Sequence, residues 1–416
     1  MKMEYTFTTD ISKQEHDTFV KAHNFCNLLQ SASWALVKDN WKSVLAGVRD
    51  ENHCLAASSL VLIKSLPFGF TMYYIPRGPI MDFLNKEIVS IYFQGLKEYS
   101  KRDHCMMIKF DPGIHINDYQ SSEYNTNRNP LLNDYMEIFS SVGAKHQGFP
   151  MHIGETIQPR FQSNVYFSPE FEESLPRHTK RLIKDAIKRN VKIEMGGMEF
   201  VEEFSRLVGL TEERKGVHLR NHEYFEKLCA IYPEDAKIFL AGVNLKELYD
   251  DYVKKQRDIE KEIRECPENA VKKMRRLHDM ERSIQKDVNE FKEIFEEMGQ
   301  IHGNIYIAGV LSIRYGNTCE MLYAGMDQRF KKFMPQYKIY VENMKWAFAH
   351  GCESCNMGGV EGTLDDGLTK FKDNFHPIIN EFIGEFDLPV NKLLYPLFHF
   401  LYNDMKEKRE KALGGD

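Results

Sequence analysis

Two charged stretches decide the fold of this chain. Residues 245–266 read LKELYDDYVKKQRDIEKEIREC and residues 270–299 read AVKKMRRLHDMERSIQKDVNEFKEIFEEMG, with Pro267, Glu268 and Asn269 between them. In each stretch apolar residues recur at steps of three and four, which is the spacing of one helical face. The other faces carry mostly Lys, Arg, Glu and Asp, so the pattern predicts two helices that zip together as an antiparallel hairpin projecting into solvent. The predicted seam consists of Leu245, Leu248, Tyr252, Ile259, Ile263 and Cys266 in the first helix and of Met274, Leu277, Ile284, Val288, Phe291, Phe295 and Met298 in the second.

This helical arm permits two interpretations from its pattern alone. It is either a solvated coiled coil with a mechanical or dimerising role, or an arm that serves a binding function. The segments on either side of it distinguish the two.

Composition bounds the class of protein. A chain of 416 residues that is 42% hydrophobic is long enough for two or three cored domains. The net charge of −6 does not favour general affinity for nucleic acid, so a polyanionic partner requires local positive charge. The N-terminus has no apolar core and no stretch of eighteen apolar residues occurs, so we expect a cytoplasmic protein without a membrane span. Eight scattered cysteines fit a reducing compartment, and we interpret Cys352 and Cys355 as buried thiols and predict no metal site and no cofactor.

The same order of elements occurs twice. Each copy reads as two hairpin strands, a third strand, a helix and a fourth strand, which predicts a duplicated α/β unit. In the second copy the arm replaces the hairpin turn. The predicted elements are strands 41–48, 55–63, 70–76 and 105–110 with helix 87–101, and strands 236–243, 304–314, 319–324 and 354–357 with helix 336–350.

This α/β (α+β) unit resembles the fold of the GNAT acetyltransferase superfamily. Enzymes of that superfamily usually hold the coenzyme A pyrophosphate on a loop of the form Gln/Arg-x-x-Gly-x-Gly/Ala before the helix, where backbone amides approach the phosphate. The matching segments here, PRGPIMDFLNKE (76–87) and MDQRFKKFMPQY (326–337), lack that spacing. Acyl transfer is therefore expected without coenzyme A as the donor.

Several separated motifs resemble the FemABX family, most of all its MurM/MurN-type members. They are QSASWALVKDNW (30–41), YIPRGPIMD (74–82), KFDP (109–112), GETIQPRFQ (154–162), EERKGVHLRNHEYFEKL (212–228), LYAGMD (322–327), NMGGVEGTLDDGLTKFKDNFHP (356–377) and EFIGEFDLP (381–389). The resemblance implies two fused GNAT-like subdomains with an inserted coiled-coil arm. It also implies transfer of an amino acid from aminoacyl-tRNA to an amino group on the stem peptide of lipid II, which builds the interpeptide bridge of peptidoglycan.

The resemblance also sets expected domain limits. Residues 1–155 form the first subdomain, and residues 156–243 with 300–400 form the second. Residues 244–299 form the arm, and 401–416 form a basic C-terminal tail. The tail and the apolar residues before it are expected either to lie at an anionic membrane surface or to form a simple docking helix.

The acceptor carries a pyrophosphate and carboxylates, so its pocket needs cations and hydrogen-bond donors. Lys38 and Trp41 are expected one turn apart on a helical face, and Lys38 matches the family's phosphate-contacting lysine; a core Trp and a helix-terminal Lys are the structural alternative. Arg220 and Tyr224, again four apart, match an Arg/Tyr pair of the family's acceptor pocket.

Two further residues complete the expected pocket. Asp111 ends a strand and either holds a substrate hydroxyl or amide or caps a turn. Tyr323 matches a pocket tyrosine, with burial in the core as the alternative.

Lys372 is the expected catalytic residue. Together with Phe371 it matches the family's phenylalanine–lysine pair near the transfer centre. Its ammonium would stabilise the tetrahedral oxyanion or the departing ribose oxygen, and Phe371 would pack against the terminal adenosine or the acyl group. No side chain is identified as the base, so alignment of two bound substrates is expected to supply most of the rate.

Two basic stretches are expected to bind tRNA, since phosphate contacts dominate such affinity. One is a helix between the two halves that carries Arg177, Lys180, Arg181, Lys184, Lys188 and Arg189, and the other is the cluster Lys272, Lys273, Arg275 and Arg276 beyond the turn of the arm. A solvated charged face is the alternative for each. Two other functions remain open: a transferase with a protein or other amine acceptor, and a non-catalytic tRNA-binding scaffold with a dimerising arm.

Overall fold

The computed structural model describes residues 4–123, 128–216, 220–267, 269–299, 303–400 and 402. The strands of these residues, in chain order, are β1 (Thr6–Thr8), β2 (Lys42–Arg49), β3 (Leu55–Ser65), β4 (Thr71–Ile75), β5 (Ile80–Met81), β6 (Cys105–Phe110), β7 (His115–Tyr119), β8 (Lys145–His146), β9 (Phe161–Tyr166), β10 (Lys192–Gly196), β11 (Ala236–Asn244), β12 (Asn304–Tyr315), β13 (Thr318–Met326), β14 (Ser354–Gly359), β15 (Ile378–Phe382) and β16 (Phe386–Pro389). The helices are α1 (Lys13–Lys21), α2 (Trp34–Val37), α3 (Lys86–Ser100), α4 (Leu132–Ser141), α5 (Phe171–Ser174), α6 (Arg177–Lys188), α7 (Val201–Lys215), α8 (His222–Ile231), α9 (Leu245–Arg264), α10 (Val271–Met298), α11 (Pro335–Ala349) and α12 (Gly367–Lys372).

The first sheet has the order β1-β2-β3-β4-β6-β16-β8, with β5 beside β3. Its neighbours are antiparallel except β4 and β6, which run parallel and are connected through α3. Every residue of β6 is buried, and all of them except Lys109 are apolar, which fits a strand covered on both faces. The Asn85 side chain accepts from the backbone N–H of Ile88 and so starts α3, whose buried face then packs on this sheet.

The second sheet repeats this plan. Its order is β10-β11-β12-β13-β14-β9-β15-β7, and its one parallel pair within the repeated unit, β13 and β14, is connected through α11. The predicted duplication of hairpin, strand, helix and strand is therefore confirmed, as is the α/β fold of two fused subdomains.

The two sheets exchange strands. β7 leaves the first half of the chain and pairs with β15 at the edge of the second sheet. β16 returns from the second half and pairs between β6 and β8 in the first sheet. A boundary near residue 155 therefore assigns most strands to the correct sheet. It does not do so for β7 and β16, which each pair in the sheet of the other half.

The arm is the predicted helical hairpin, formed by α9 and α10. It replaces the turn between β11 and β12, because Asn244 and Asn304 are the last partners of that ladder and α9 begins at the next residue. The Asn244 side chain caps α9 by accepting from the backbone N–H of Glu247.

The base of the arm is not free in solvent, contrary to the prediction. Phe291 lies 6.0 Å from Phe333 of the second subdomain, measured between ring centroids, and the buried Ile294, which the seam pattern omitted, belongs to the same core. Arg189 also forms an ion pair with Asp287 at 3.8 Å. The sheet core therefore fixes the direction of the arm.

None of the helices in the described ranges is long and apolar enough to span a bilayer.

Candidate functional site

The parallel strands β13 and β14 pair over a short distance and then separate. Their shared register covers three pairs, of which Glu320 opposite Asn356 is the last. Further along, β14 pairs with β9 through Gly359 and Gln162, while β13 continues beside β12. We call the opening beyond Glu320 and Asn356 the fork.

Lys372 reaches one side of the fork. It is the last residue of α12, a helix capped by Asp366, whose side chain accepts from the backbone N–H groups of Leu368 and Thr369. Its Nζ donates to the carbonyl oxygens of Gly358 at 3.0 Å and Gly359 at 2.8 Å. Lys372 is only 3% exposed, so these carbonyls help to compensate the burial of its charge.

Glycines are required on this side of the fork. Gly358 has a φ of +86°, a region that side-chain-bearing residues rarely adopt. A Cβ on Gly359 would lie 2.5 Å from the Cβ of Pro159. The NMGG sequence thus allows two successive carbonyls to point at one ammonium.

Phe371 packs within the protein. Its half-buried ring lies 5.7 Å from Tyr337, 5.2 Å from Tyr340 and 5.5 Å from Phe375, measured between ring centroids. This aromatic cluster anchors α12 against α11, so Phe371 positions its neighbour Lys372. Its predicted contact with adenosine or the acyl group stays a prediction.

Arg220, Tyr224 and Tyr323 come together in the structure. The Arg220 guanidinium lies 4.9 Å from the centre of the Tyr224 ring, and the rings of Tyr224 and Tyr323 are 6.0 Å apart. Burial lowers the pKa of Arg220, but hydrogen bonds with Tyr323 and Tyr224 outweigh that effect and leave it raised. Burial also raises the pKa of Tyr224.

The local structure of this group differs from the prediction. Arg220 does not share a helical face with Tyr224, because α8 begins at His222 and Asn221 is its N-cap. The residue pair meets because the chain turns into α8 at the cap, which spacing alone cannot reveal.

Lys38 belongs to the same group. Burial, followed by repulsion from Arg220 and Lys227, lowers its pKa. We call this group the cationic pocket; it consists of Lys38, Arg220, Tyr224 and Tyr323. The positive charges of Arg220 and Lys38 repel each other in it. Such an arrangement is stabilised by a bound anion.

The prediction that Trp41 lies one helical turn from Lys38 on the same face is wrong. α2 ends at Val37, Lys38 is its C-cap, and the backbone N–H of Trp41 donates to the Lys38 carbonyl at 2.8 Å. The Trp41 ring instead meets the edge of Tyr74 at 6.4 Å. The helix is shorter than the pattern suggested because the chain must turn into β2.

Asp111 is enclosed and supports Arg77. It is 1% exposed, its Oδ1 accepts from the Arg77 backbone N–H at 3.0 Å, and its Oδ2 lies 3.7 Å from the Arg77 guanidinium. Burial raises the pKa of Asp111 to about 7, although Arg77 opposes the shift. This arrangement fits the turn-capping alternative better than direct contact with a substrate.

The predicted basic helix, α6, adjoins the segment that follows Lys372. The Thr179 hydroxyl donates to the carbonyl of Asn374, two residues beyond Lys372, at 2.5 Å. Arg181 and Lys184 are exposed, whereas Lys180 donates to the Glu173 carbonyl at 2.6 Å.

The cations near the tip of the arm are all exposed, namely Lys272, Lys273, Arg275 and Arg276. The tail 401–416 lies outside the described residues except for Tyr402.

Sequence reasoning missed Arg77, Glu320 and Asn356. Arg77 is 2% exposed and donates to the Pro159 carbonyl at 2.6 Å. Burial raises the pKa of Glu320 to about 7, again opposed by Arg77. Only the glycine pair after Asn356 offered a signal, since it marks a backbone approach. Cys352 and Cys355 are buried thiols, as interpreted from the sequence.

The fold and the fork define a class of protein: two fused α/β subdomains with a helical arm inserted in the second. A model described as the FemAB family matches residues 11–403, and the chain belongs to that family.

Relatives and solved structures agree with this assignment. The chain is similar to the lipid II:glycine glycyltransferase of Staphylococcus haemolyticus, at 28% identity over 406 residues that cover 93% of this chain and 94% of the relative. The enzyme of the same name from Staphylococcus epidermidis is 29% identical over 422 residues, covering 97% and 96%. The crystal structure of FemX matches with a TM-score of 0.74 at 26% identity, over 95% of this chain and 99% of that one.

The buried Asp111 carboxyl predicts a pH-dependent stability. The pKa of this carboxyl is about 7 in the folded protein, above the ordinary value of 3.8, so protonation stabilises the folded state. This contribution to stability is complete below pH 3.8 and is lost as the pH rises through about 7. Asp111→Asn cannot titrate, so we expect its stability relative to the wild type to improve between pH 4 and 8, by at most about 1.4 kcal/mol per pH unit. Denaturant unfolding across this range measures the difference. Asp134→Asn, at an exposed position, is the control, and a pH-independent difference for Asp111→Asn would contradict the assignment.

Proposed function

We propose that this protein transfers an amino acid from aminoacyl-tRNA to an amino group on the stem peptide of lipid II. The observation that carries the proposal is that the cationic pocket and the buried Lys372 adjoin the two strands of one fork. Tyr323 of the cationic pocket belongs to β13, whereas Lys372 is bound to carbonyls of β14. An acceptor held on one side and an acyl donor on the other would meet at the opening.

The cationic pocket suits the pyrophosphate of the acceptor. Arg220 has a planar set of donors that matches phosphate oxygens, and the Lys38 ammonium adds a second charge nearby. The hydroxyls of Tyr224 and Tyr323 add hydrogen bonds. The names of the relatives, lipid II:glycine glycyltransferase, support lipid II as the acceptor.

Lys372 suits the transfer step. The acceptor amine, after losing a proton to substrate or water, attacks the ester carbonyl carbon. A C–N bond forms, the bond from that carbon to the ribose oxygen breaks, and the ribose oxygen gains a proton. A positive charge fixed beside the developing oxyanion stabilises it most where water is excluded, and Lys372 is buried with its Nζ held by two carbonyl oxygens.

A transfer assay tests the role of Lys372. With charged tRNA and lipid II, Lys372→Ala should lower kcat by about 100- to 1000-fold because an oxyanion-stabilising group is removed, while binding of both substrates is retained. Lys370→Ala removes an exposed lysine of the same helix and should leave kcat unchanged. Undiminished transfer by Lys372→Ala would remove Lys372 from the mechanism.

The same assay separates the alternatives. If the labelled amino acid appears only on a protein, then a protein rather than lipid II is the acceptor. Binding of tRNA with no transfer by the wild type under any acceptor would favour a scaffold.

We further propose that α6 and the tip of the arm bind the tRNA. α6 is hydrogen-bonded to the segment that follows Lys372, so its exposed Arg181 and Lys184 flank the transfer centre. The arm is electrically polarised: residues 255–276 carry eight Lys and Arg against five Asp and Glu, whereas the remainder of 244–299 carries five against ten. A positive tip on a negative base directs a polyanion to the tip.

Charge reversal tests the arm. Arg275→Glu with Arg276→Glu should weaken tRNA binding and flatten the dependence of log affinity on log salt concentration, by roughly 0.7–0.9 for each phosphate that the variant no longer binds. Lys101→Glu with Arg102→Glu, at exposed positions of the first subdomain, is the matched control. Equal affinities and slopes for the two double variants would show that the tip does not bind RNA.

A membrane contact near the C-terminus also forms part of the proposal. Leu393, Leu397 and Phe400 are 91%, 60% and 68% exposed, with the spacing of one helical face, and residues 395–400 are helical. Phe68, 96% exposed, follows Leu66, which packs in the same small cluster as Tyr395. The tail 401–416 holds four cations and four carboxylates, so apolar insertion rather than net charge supports this contact.

Vesicle binding tests this surface. Phe68→Asp with Leu397→Asp should lower binding to phosphatidylcholine vesicles by at least about tenfold, because burial of each large apolar side chain contributes about 1.5–3 kcal/mol. Sedimentation with the vesicles measures the bound fraction, with Met280→Asp on the arm as the exposed apolar control. A decrease of the same size in the control would exclude a specific membrane surface.

A further inference from the structure

Asn356 connects the end of the strand pairing to the carbonyls that bind Lys372. Its Nδ2 donates to Oε2 of Glu320 at 2.7 Å and to Oε1 of Gln162 at 3.0 Å, and its Oδ1 accepts from the backbone N–H of Gly358 at 2.8 Å. Gly358 and the next glycine then accept from Lys372. A continuous series of hydrogen bonds therefore runs from Glu320 to the Lys372 ammonium.

The orientation of the Asn356 amide is determined by these partners. A carboxylate and an amide oxygen require its NH₂ group, and a backbone N–H requires its oxygen. The side chain is 5% exposed, so water cannot replace these bonds freely. An aspartate here would lack both donors and place its charge beside Glu320.

We propose that Asn356 and Glu320 are positioning residues that set the location of the Lys372 ammonium for acyl transfer. The inference rests on the proposed role of Lys372. The Asn356 bond holds Gly358 in its left-handed conformation (φ +86°), and that conformation directs the carbonyl at Lys372. Displacement of a reacting group by about 1 Å lowers the rate on the order of 100-fold, so removal of this support acts on kcat.

Glu320 faces a charged environment at the boundary of the subdomains. Arg77 acts on it from the turn between β4 and β5, the Cys26 and Cys319 thiols are near, and His115 and Glu353 line the same cavity of ≈ 190 Å³. The ionised carboxylate is the stronger acceptor for Asn356. Its pKa is about 7, so protonation weakens this support as the pH falls through neutrality.

A double-mutant cycle tests the inference on the full-length protein. Asn356→Ala should lower kcat by about 10- to 100-fold with KM for lipid II unchanged, and adding it to Lys372→Ala should cause no further decrease, because a positioning residue acts only through the group it positions. Asn317→Ala, which removes another amide lining the cavity, is the control expected to keep wild-type kcat. Multiplicative decreases in the double variant, or a raised KM with normal kcat, would overturn the inference.

Variants of Glu320 give a second, independent readout. Glu320→Gln keeps an acceptor oxygen and should retain most of the activity while losing the wild-type inflection of kcat near pH 7, whereas Glu320→Ala should resemble Asn356→Ala. An inflection that persists in Glu320→Gln, or full activity in Glu320→Ala, contradicts the assignment. Full activity of Lys372→Ala would remove Lys372 from the mechanism and the inference with it. Absence of transfer to lipid II by the wild type would instead refute the proposed function, so the two failures are distinguishable.

Discussion

The buried guanidinium of Arg77 is the constraint on which the relation between the two subdomains depends. It belongs to the first, where it faces Asp111, but it donates to the Pro159 carbonyl and lies 3.9 Å from the centre of the Phe382 ring in the second. A charge enclosed in this way is destabilising unless it is paired and hydrogen-bonded. Neither subdomain alone supplies all of these partners, so the charge favours one relative placement of the two sheets.

Strand exchange reinforces that placement. Lys109 of β6 forms ion pairs with Glu385 at 3.2 Å and with Asp387 of β16 at 2.7 Å. Arg160 likewise pairs with Glu381 of β15 at 2.7 Å. These buried pairs sit where the chain passes between the sheets, and removal of one partner would leave an uncompensated charge. The fork is therefore built on a rigid support.

The fork and the arm are both departures from regular structure. A fully paired β13 and β14 would have no opening, and ordinary residues at 358 and 359 could not direct two carbonyls at Lys372. The arm is similar: its tip is exposed, but its base joins the core through Phe291 and Phe333, so any partner bound at the tip is oriented relative to the fork. The buried base fixes the direction of the arm, and the exposed tip remains accessible to a partner.

The sequence by itself determined the repeated α/β unit and the arm at the tip of a hairpin, whereas the grouping of Arg220, Tyr224 and Tyr323 was implied only by the family resemblance. Periodicity and motif order are local properties, and they survive folding because each element buries its own apolar face. Only the tertiary structure decided the strand exchange, the early end of α2 at Val37, and the roles of Arg77, Glu320 and Asn356. These depend on partners far apart in the chain, since the energy of a buried charge or amide is set by what surrounds it rather than by its neighbours in sequence.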